Sequence, residues 1–164
     1  MKNFLLFIVA SFLVLSSCSR TKQVGGIAYQ FGEEGATVVD ADTPYAGKVV
    51  IPDSVPFEGK KIPVVAIAGK AFKDCKKLVE VVIPAAVASI GSKAFSGCSS
   101  LRHVECQVET PLEVDEETFE GVDMDKCTLM VPLQSAESYS NMPVWNKFLF
   151  GAGTETVKTK NDNK

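Results

Sequence analysis

The sequence predicts a mainly β protein that coils as a short solenoid, and three observations support this prediction. Segments 64–84 and 87–107 share eight identical residues when they are aligned at an offset of 23. This period lies within the range of about 20–29 residues that is typical of short strand-containing solenoid repeats. Partial copies flank the two segments on both sides. Because a single copy can bury only one face of its strand, the copies are expected to stack on one another.

Composition indicates one soluble globular domain. The 164 residues are 46% hydrophobic and 23% charged, which is too apolar for a disordered chain. The formal net charge of −3 argues against nucleic acid as the main partner. The single histidine of the chain, His103, argues against multi-histidine metal sites and most histidine-based catalysis.

The first residues are expected to direct secretion. Residues 4–15 form an uncharged apolar run, too short for a spanning helix of about 20 residues but suited to a secretory signal of about 7–15. Residues 15–18, Leu-Ser-Ser-Cys, resemble a bacterial lipobox. That resemblance implies a signal peptide of residues 1–17 and lipid on the sulfur of Cys18, where two or more acyl chains give stable anchoring. An ordinary signal peptide with an incidental Cys18 is the alternative.

Residues 18–24 are predicted to be a lipidated polar tether. Positions 19–22 are Ser, Arg, Thr and Lys, whereas some Gram-negative lineages place acidic residues after the lipid cysteine of surface lipoproteins. We therefore expect a membrane-anchored protein of the cell envelope, at the outer membrane. The sequence does not determine whether the protein faces the periplasm or the cell surface.

The predicted domain covers residues 25–150 and begins with a cap over residues 25–46. Residues 26–39 alternate around a Gly-Glu-Glu-Gly turn, which predicts an N-terminal β-hairpin. A cap is needed because a solenoid of few coils would otherwise expose its apolar end. A second small hairpin is predicted around Glu58-Gly59-Lys60.

The repeats are predicted to span about residues 47–132. Each copy should contribute two inward positions from its strand and one aromatic ring from the returning side of the coil. The first inward ladder consists of Val49, Val81, Val104 and Leu129. The second ladder consists of Ile51, Ile83, Cys106 and Val131, and the ring stack of Phe72, Phe95 and Phe119.

Residues 133–150 are predicted to close the other end of the core. A short helix is expected at 135–141, followed by the bulky apolar residues Trp145 and Phe148. The polar residues 151–164 are predicted to form a disordered tail.

The frame Ala-Phe-x-x-Cys-x-x-Leu, present at 71–78 and 94–101, resembles the BspA-type bacterial leucine-rich repeat. Residues 129–132 and 145–148 are also similar to the closing segment of short lipoproteins with these repeats. Gln107 stands where the frame has a proline at the end of the strand, so the last copy matches the frame less well. The resemblance implies a short leucine-rich-repeat right-handed β-solenoid between the two caps. It also implies adhesion or protein binding at the cell envelope, although a fold alone does not fix a function.

The cysteines are interpreted as packing residues. Cys75 and Cys98 share one repeat phase and are predicted to be buried, with a disulfide between such stacked neighbours left open. Cys106 and Cys127 are expected to lie roughly 13 Å apart along adjacent strands, too far to bridge. The sequence has no Cys-x-x-Cys pair, no Gly-x-Ser-x-Gly and no complete calcium loop. We therefore predict no metal site, no cofactor and no catalytic residue, and place His103 on the outward phase of its strand.

Charge is unevenly distributed along the chain. Residues 60–103 carry a balance of +6, whereas residues 104–125 carry nine acids and no base. In a solenoid, sequence order becomes position along the axis, so an electrically polar molecule is expected. Such polarity favours a charged partner or weak, salt-sensitive self-association.

These features predict a lipid-anchored, non-catalytic protein-binding or adhesion module. Its ligand is expected to be a protein, and its membrane contact the lipid on Cys18. A structural accessory subunit of an envelope complex is the main alternative, and an enzyme is the least supported one. The candidate binding face is the outward side of the strands, at Val50, Glu80, Val82, His103, Glu105 and Met130.

Overall fold

The structure, a computed structural model, describes residues 20–152 of the chain. Strands β1 to β11 are, in order, Arg20–Val24, Ile27–Phe31, Ala36–Val38, Ala46–Val50, Ser54–Phe57, Lys60–Ile67, Lys77–Ile83, Ser89–Ile90, His103–Cys106, Thr128–Val131 and Leu149–Ala152. Helix α1 is Ala136–Ser140, and short 3-10 helices occur at Glu116–Phe119, Met124–Lys126, Leu133–Ser135 and Trp145–Lys147.

The strands form two sheets on opposite sides of one core. The first sheet is entirely parallel, in the order β11-β10-β9-β7-β4. The second has the order β1-β2-β3-β6-β5, with β8 paired to β6. Because β3, β6 and β8 are parallel and each precedes a strand of the first sheet, the chain makes successive coils. This is the predicted β-solenoid.

Both predicted inward ladders are confirmed by the strand register. Val81 is paired with Val49 on one side and Val104 on the other, and Leu129 continues the row. In the second ladder Ile83 is paired with Cys106. All eight ladder positions are buried, so each coil contributes two apolar side chains to a core that runs along the axis.

The predicted ring stack is also confirmed. Phe72 and Phe95 lie 5.0 Å apart between ring centroids, and Phe95 and Phe119 lie 5.2 Å apart, with interplanar angles of 5° and 4°. The stack is longer than predicted, because Tyr45 packs on Phe72 at 4.7 Å and Trp145 on Phe119 at 5.5 Å. One aromatic column therefore joins the two caps through the repeats.

Backbone hydrogen bonds hold successive coils together on the side opposite the parallel sheet. The amide of Phe72 donates to the carbonyl of Ala94, and the amide of Phe95 donates to that of Thr118. The equivalent backbone groups are used one repeat later, so the sequence repeat is also a hydrogen-bonding repeat. Thr118 belongs to the degenerate third copy, which is therefore structurally in phase with the other two.

The predicted hairpins are present. Strands β2 and β3 are antiparallel across the Gly-Glu-Glu-Gly turn, and β5 and β6 are antiparallel across Glu58 and Gly59. Both of these turn residues have positive φ, 48° and 77°, which matches the turn geometry that twisted two-residue hairpins favour. At the other end, α1 lies within the predicted helix, and Trp145 and Phe148 are buried.

Two boundaries differ from the prediction. Residues 20–24, assigned to a polar tether, form β1, which pairs with β2 over its whole length and extends the N-terminal cap. Residues 151–152, assigned to the tail, belong to β11, because a parallel partner was available along β10. The predicted signal peptide 1–17, the lipidation site Cys18 and tail residues 153–164 lie outside the described residues.

Candidate binding face on the parallel sheet

The outward side of the parallel sheet presents two rows of side chains. Because strand residues alternate between the two faces, the partners of the inward ladders all point away from the core. The first row is Lys48, Glu80, His103, Thr128 and Leu149. The second row is Val50, Val82, Glu105, Met130 and Gly151. All six residues of the predicted face lie on these two rows.

The second row is mostly apolar, but its members differ in exposure. Val50 at the sheet edge is 52% exposed, whereas Val82 is only 6% exposed. Val82 is a short side chain on an interior strand, with Val50 and Glu105 in register on either side. The expectation that Val82 is available to a ligand is therefore wrong: it supports its neighbours and offers little surface of its own.

The first row is polar and includes an ion pair. Lys48 Nζ and Glu80 Oε1 lie 2.8 Å apart, and this hydrogen bond raises the pKa of Lys48 above its usual value. His103 is exposed and stands between Glu80 and Thr128, as predicted from its strand phase. The row thus offers both charged and neutral hydrogen-bonding groups to a partner.

Leu149 is a member of the face that sequence reasoning missed. Its side chain is 51% exposed at the end of the first row, on β11. The sequence pattern that would predict β11 is weak, because β11 is four residues long and follows a coil that is shorter than the 23-residue repeat. The pair Leu149-Phe150 repeats the out-in alternation of Thr128-Leu129, which was the available clue.

At the opposite edge the face continues into a groove of about 280 Å³. The groove runs between strand β4 and the β1–β2 turn, where Gly25 and Gly26 both have positive φ. Its walls include Lys48 and Val50, which belong to the two rows. The face and the groove therefore form one continuous surface that spans the N-terminal edge of the sheet.

The four cysteines of the described part of the chain are buried free thiols. Cys75 and Cys98, between which the sequence left a disulfide open, are not joined in the structure. Cys98 Sγ donates to the carbonyl of Phe72 at 3.0 Å, and Cys106 Sγ lies 3.2 Å from the hydroxyl of Tyr139. Burial raises the pKa values of all four thiols, to about 12 for Cys98 and Cys127.

These buried thiols predict a loss of stability at alkaline pH. Unfolded thiols ionise near pH 8.5, whereas folded Cys98 and Cys127 keep their protons to about pH 12. Above pH 8.5 the unfolded chain therefore binds fewer protons than the folded one, and stability falls as pH rises. Between pH 8 and 9.5 we expect a loss of about 1 kcal/mol per thiol, measured by urea unfolding in reducing buffer.

The matched control for this prediction is the double variant Cys98→Ala, Cys127→Ala. Its stability at pH 8 will be lower because of the lost packing, but its slope between pH 8 and 9.5 should be shallower than that of the wild-type chain. Equal slopes would contradict the assignment of the alkaline loss to these two thiols.

The charge does not change from basic at one end of the solenoid to acidic at the other, as was expected. The N-terminal segment 20–59 precedes the basic segment 60–103 and carries three bases against six acids. The basic region therefore lies in the middle of the solenoid. Across the adjacent coils Lys93 Nζ pairs with Glu117 at 3.6 Å, so the basic and acidic segments partly neutralise each other.

Residues 20–152, the part of the chain that the structure describes, lack two other kinds of feature. No three His, Cys, Asp or Glu side chains within this range are grouped closely enough to hold a metal ion. None of its helices has the length and apolar character needed to cross a bilayer.

Comparison with known proteins places this geometry in a wider group. A family model described as the BspA type leucine rich repeat region matches residues 65–148 in six copies. A search of curated proteins found no significant match.

Solved structures share the fold. A leucine-rich repeat protein from Bacteroides capillosus is 31% identical, with a TM-score of 0.54, and the match covers 70% of this chain and 83% of that one. A leucine rich cell surface protein from Faecalibacterium prausnitzii is 22% identical, also with a TM-score of 0.54; the match covers 71% of this chain and 38% of that one. A leucine-rich repeat protein from Bacteroides ovatus is 24% identical and has the same TM-score; the match covers 70% of this chain and 36% of that one. The chain thus spans little more than a third of two of these proteins.

Proposed function

Because the chain belongs to the BspA-type leucine-rich repeat family, we propose that it is a non-catalytic protein-binding module, lipid-anchored at Cys18 in the bacterial cell envelope. The repeat family is consistent with a protein-interaction or surface module, and leucine-rich repeat proteins are generally non-catalytic. One similar structure is described as a cell surface protein, which supports an envelope location for this chain. Adhesion is the form of binding that we propose.

The observation that carries this proposal is the continuous outward face of the parallel sheet. It combines exposed apolar side chains at both edges, Val50 and Leu149, with charged groups between them. Mixed apolar and polar surfaces of this kind are typical of protein interfaces. With strands about 4.8 Å apart, the five strands span roughly 20 Å, so the face is smaller than the roughly 800 Å² per partner of a standard interface. Tight adhesion then requires many anchored copies acting together.

Site-specific photo-crosslinking in intact cells tests the binding face. A benzophenone amino acid placed at Val50, Met130 or Leu149 should yield discrete crosslinked protein bands, because these positions line the proposed interface. Leu133 is the matched control: it is 69% exposed and apolar but lies off the sheet. Bands from Leu133 alone, or no bands from the three face positions, would exclude this face as the interface.

Crosslinking also separates adhesion from the accessory-subunit alternative. A stoichiometric envelope partner that co-purifies in mild detergent and crosslinks at the face would indicate a permanent subunit. Crosslinks that form only with added host or neighbouring-cell material would indicate an adhesin.

Protease treatment of intact cells tests the anchor and its side. Digestion of the wild-type protein on whole cells, together with release of Cys18→Ala into the soluble fraction, is expected for a surface lipoprotein. Protection until the outer membrane is opened would place the domain in the periplasm. Equal membrane association of the wild-type protein and a Cys18→Ala variant whose signal peptide has been removed would exclude lipid on Cys18 as the anchor.

A further inference from the structure

The first strand begins very close to the proposed lipid attachment point. Strand β1 starts at Arg20, so only Ser19 separates it from Cys18. A trans peptide chain extends by at most about 3.6 Å per residue, which keeps the Cα atoms of Cys18 and Arg20 within roughly 7 Å of each other. A lipid on Cys18, which is part of the function proposed above, would therefore hold β1 at the surface of the bilayer.

The region beside Arg20 carries an aromatic pair. Arg20 is in register with Phe31 on β2, and the ring of Phe31 stacks on that of Phe57 with 3.9 Å between centroids and an interplanar angle of 11°. Both rings are half-buried, so part of the pair is open to the surroundings. Phe57 ends β5, the exposed Glu58 and Gly59 form the hairpin turn, and the exposed Lys60 and Lys61 begin β6.

We propose that the N-terminal cap rests directly on the membrane, with the Phe31–Phe57 pair at the headgroup boundary. Aromatic rings gain free energy at this boundary, and lysines such as Lys60 can lie along it with their ammonium groups in water. Exposed Glu33 and Glu34 follow Phe31 and offset the nearby lysines. The contact is therefore imposed by the short tether and the rings, and it does not require anionic lipid.

This placement orients the whole solenoid. From β1 to β6 there are three strand spacings, and the column from Phe72 to Trp145 adds three ring spacings of 5.0–5.5 Å. At about 4.8 Å per strand spacing, Trp145 stands roughly 30 Å from β1. The C-terminal cap is thus the distal end, and the outward face of the parallel sheet runs away from the bilayer, open to a partner from the side.

Quenching of tryptophan by brominated phosphatidylcholine tests the orientation. The chain from Cys18 onward, which retains the whole described fold, is coupled through Cys18 to a maleimide phospholipid in phosphatidylcholine vesicles. The four other cysteines that the structure describes are buried, so Cys18 is the thiol expected to react. In Phe57→Trp the added tryptophan should be quenched at least twofold more than that in the distal control Leu133→Trp, after subtraction of the Trp145 signal.

A longer tether provides the second arm. Ten Gly and Ser residues inserted between Ser19 and Arg20 should reduce quenching of Phe57→Trp to the level of Leu133→Trp, because the cap is then free to leave the surface. Equal quenching at both positions would overturn the proposed contact, and an unchanged signal after the insertion would overturn the role assigned to the short tether. If Phe57→Trp does not fold, Lys60→Trp reports on the same turn.

The coupling is chemical, so this result is independent of lipidation in the cell. Metabolic labelling with radioactive palmitate tests lipidation separately. Absence of label on the wild-type chain would overturn the proposed anchor and leave the vesicle geometry as measured.

Discussion

Replacement of Phe95 by alanine is expected to lower the free energy of unfolding by about 3–5 kcal/mol. Phe95 is fully buried and stacks on Phe72 at 5.0 Å and on Phe119 at 5.2 Å, so its removal opens a cavity between two coils. The neighbouring rings cannot close that gap, because hydrogen bonds such as Phe95 N–H to Thr118 C=O fix the spacing of the coils. Equilibrium urea unfolding followed by circular dichroism measures the loss.

Two variants show whether the column is responsible. Phe95→Leu retains most of the buried volume and should cost less than half as much as Phe95→Ala. Phe57→Ala removes a ring that also stacks on a neighbour, Phe31, but is half-exposed, and should cost about 1–2 kcal/mol. If Phe95→Ala and Phe57→Ala lowered the free energy of unfolding equally, the stacking of buried rings would not be the main interaction that holds the coils together.

The predictable parts of the fold are those in which the 23-residue repeat places a residue beside its equivalent in the next coil. Once copies are aligned at an offset of 23, the register of β7 on β9 follows, and with it the pairing of Val81 with Val104. Phe72 and Phe95 stack for the same reason. Side-chain period and repeat period together leave no freedom in these positions.

The ends of the solenoid were less predictable, because there the repeat no longer determines the packing. Tyr45 and Trp145 extend the aromatic column, yet neither occupies the repeat position of the phenylalanines. The polar sequence of strand β1 is typical of a tether and gave no indication of a strand. However, β2 offers an open edge, and the backbone hydrogen bonds to it form regardless of side chains. Strand β11 is added to β10 in the same way.

The candidate face was predicted in its location but not in its detailed exposure. Alternation along the strands identified which side chains point outward, and all six predicted residues do. Burial by neighbours depends on side-chain lengths across three strands, which is why Val82 is covered and Val50 is not. Exposure at a sheet edge also depends on which strand is last, so Leu149 could be placed only once β11 was known.

The substitution Gly91→Ala shows most clearly how the sequence repeat can mislead. In the alignment at an offset of 23, Gly91 corresponds to Ala68, so alanine looks like the natural residue of the frame. In the folded chain, however, a Cβ at Gly91 would overlap the amide nitrogen of Gly69 and lie 2.7 Å from its Cα. The obstacle is backbone, which cannot rotate away. We expect Gly91→Ala to lower the free energy of unfolding by about 3 kcal/mol, measured by urea unfolding.

A graded series of glycine substitutions makes this prediction specific. At Gly69 an added Cβ would meet the carbonyl of Ser92 at 3.0 Å, so Gly69→Ala should cost less than Gly91→Ala. At Gly32 the nearest atom is the carbonyl of Gly35 at 3.9 Å, and Gly32→Ala should change stability by no more than about 0.5 kcal/mol. Ala68 escapes the clash because its coil stacks on the N-terminal cap, where its amide donates to the carbonyl of Val38. Equal stability of the Gly91→Ala and Gly32→Ala variants would mean that adjacent coils are not in backbone contact here.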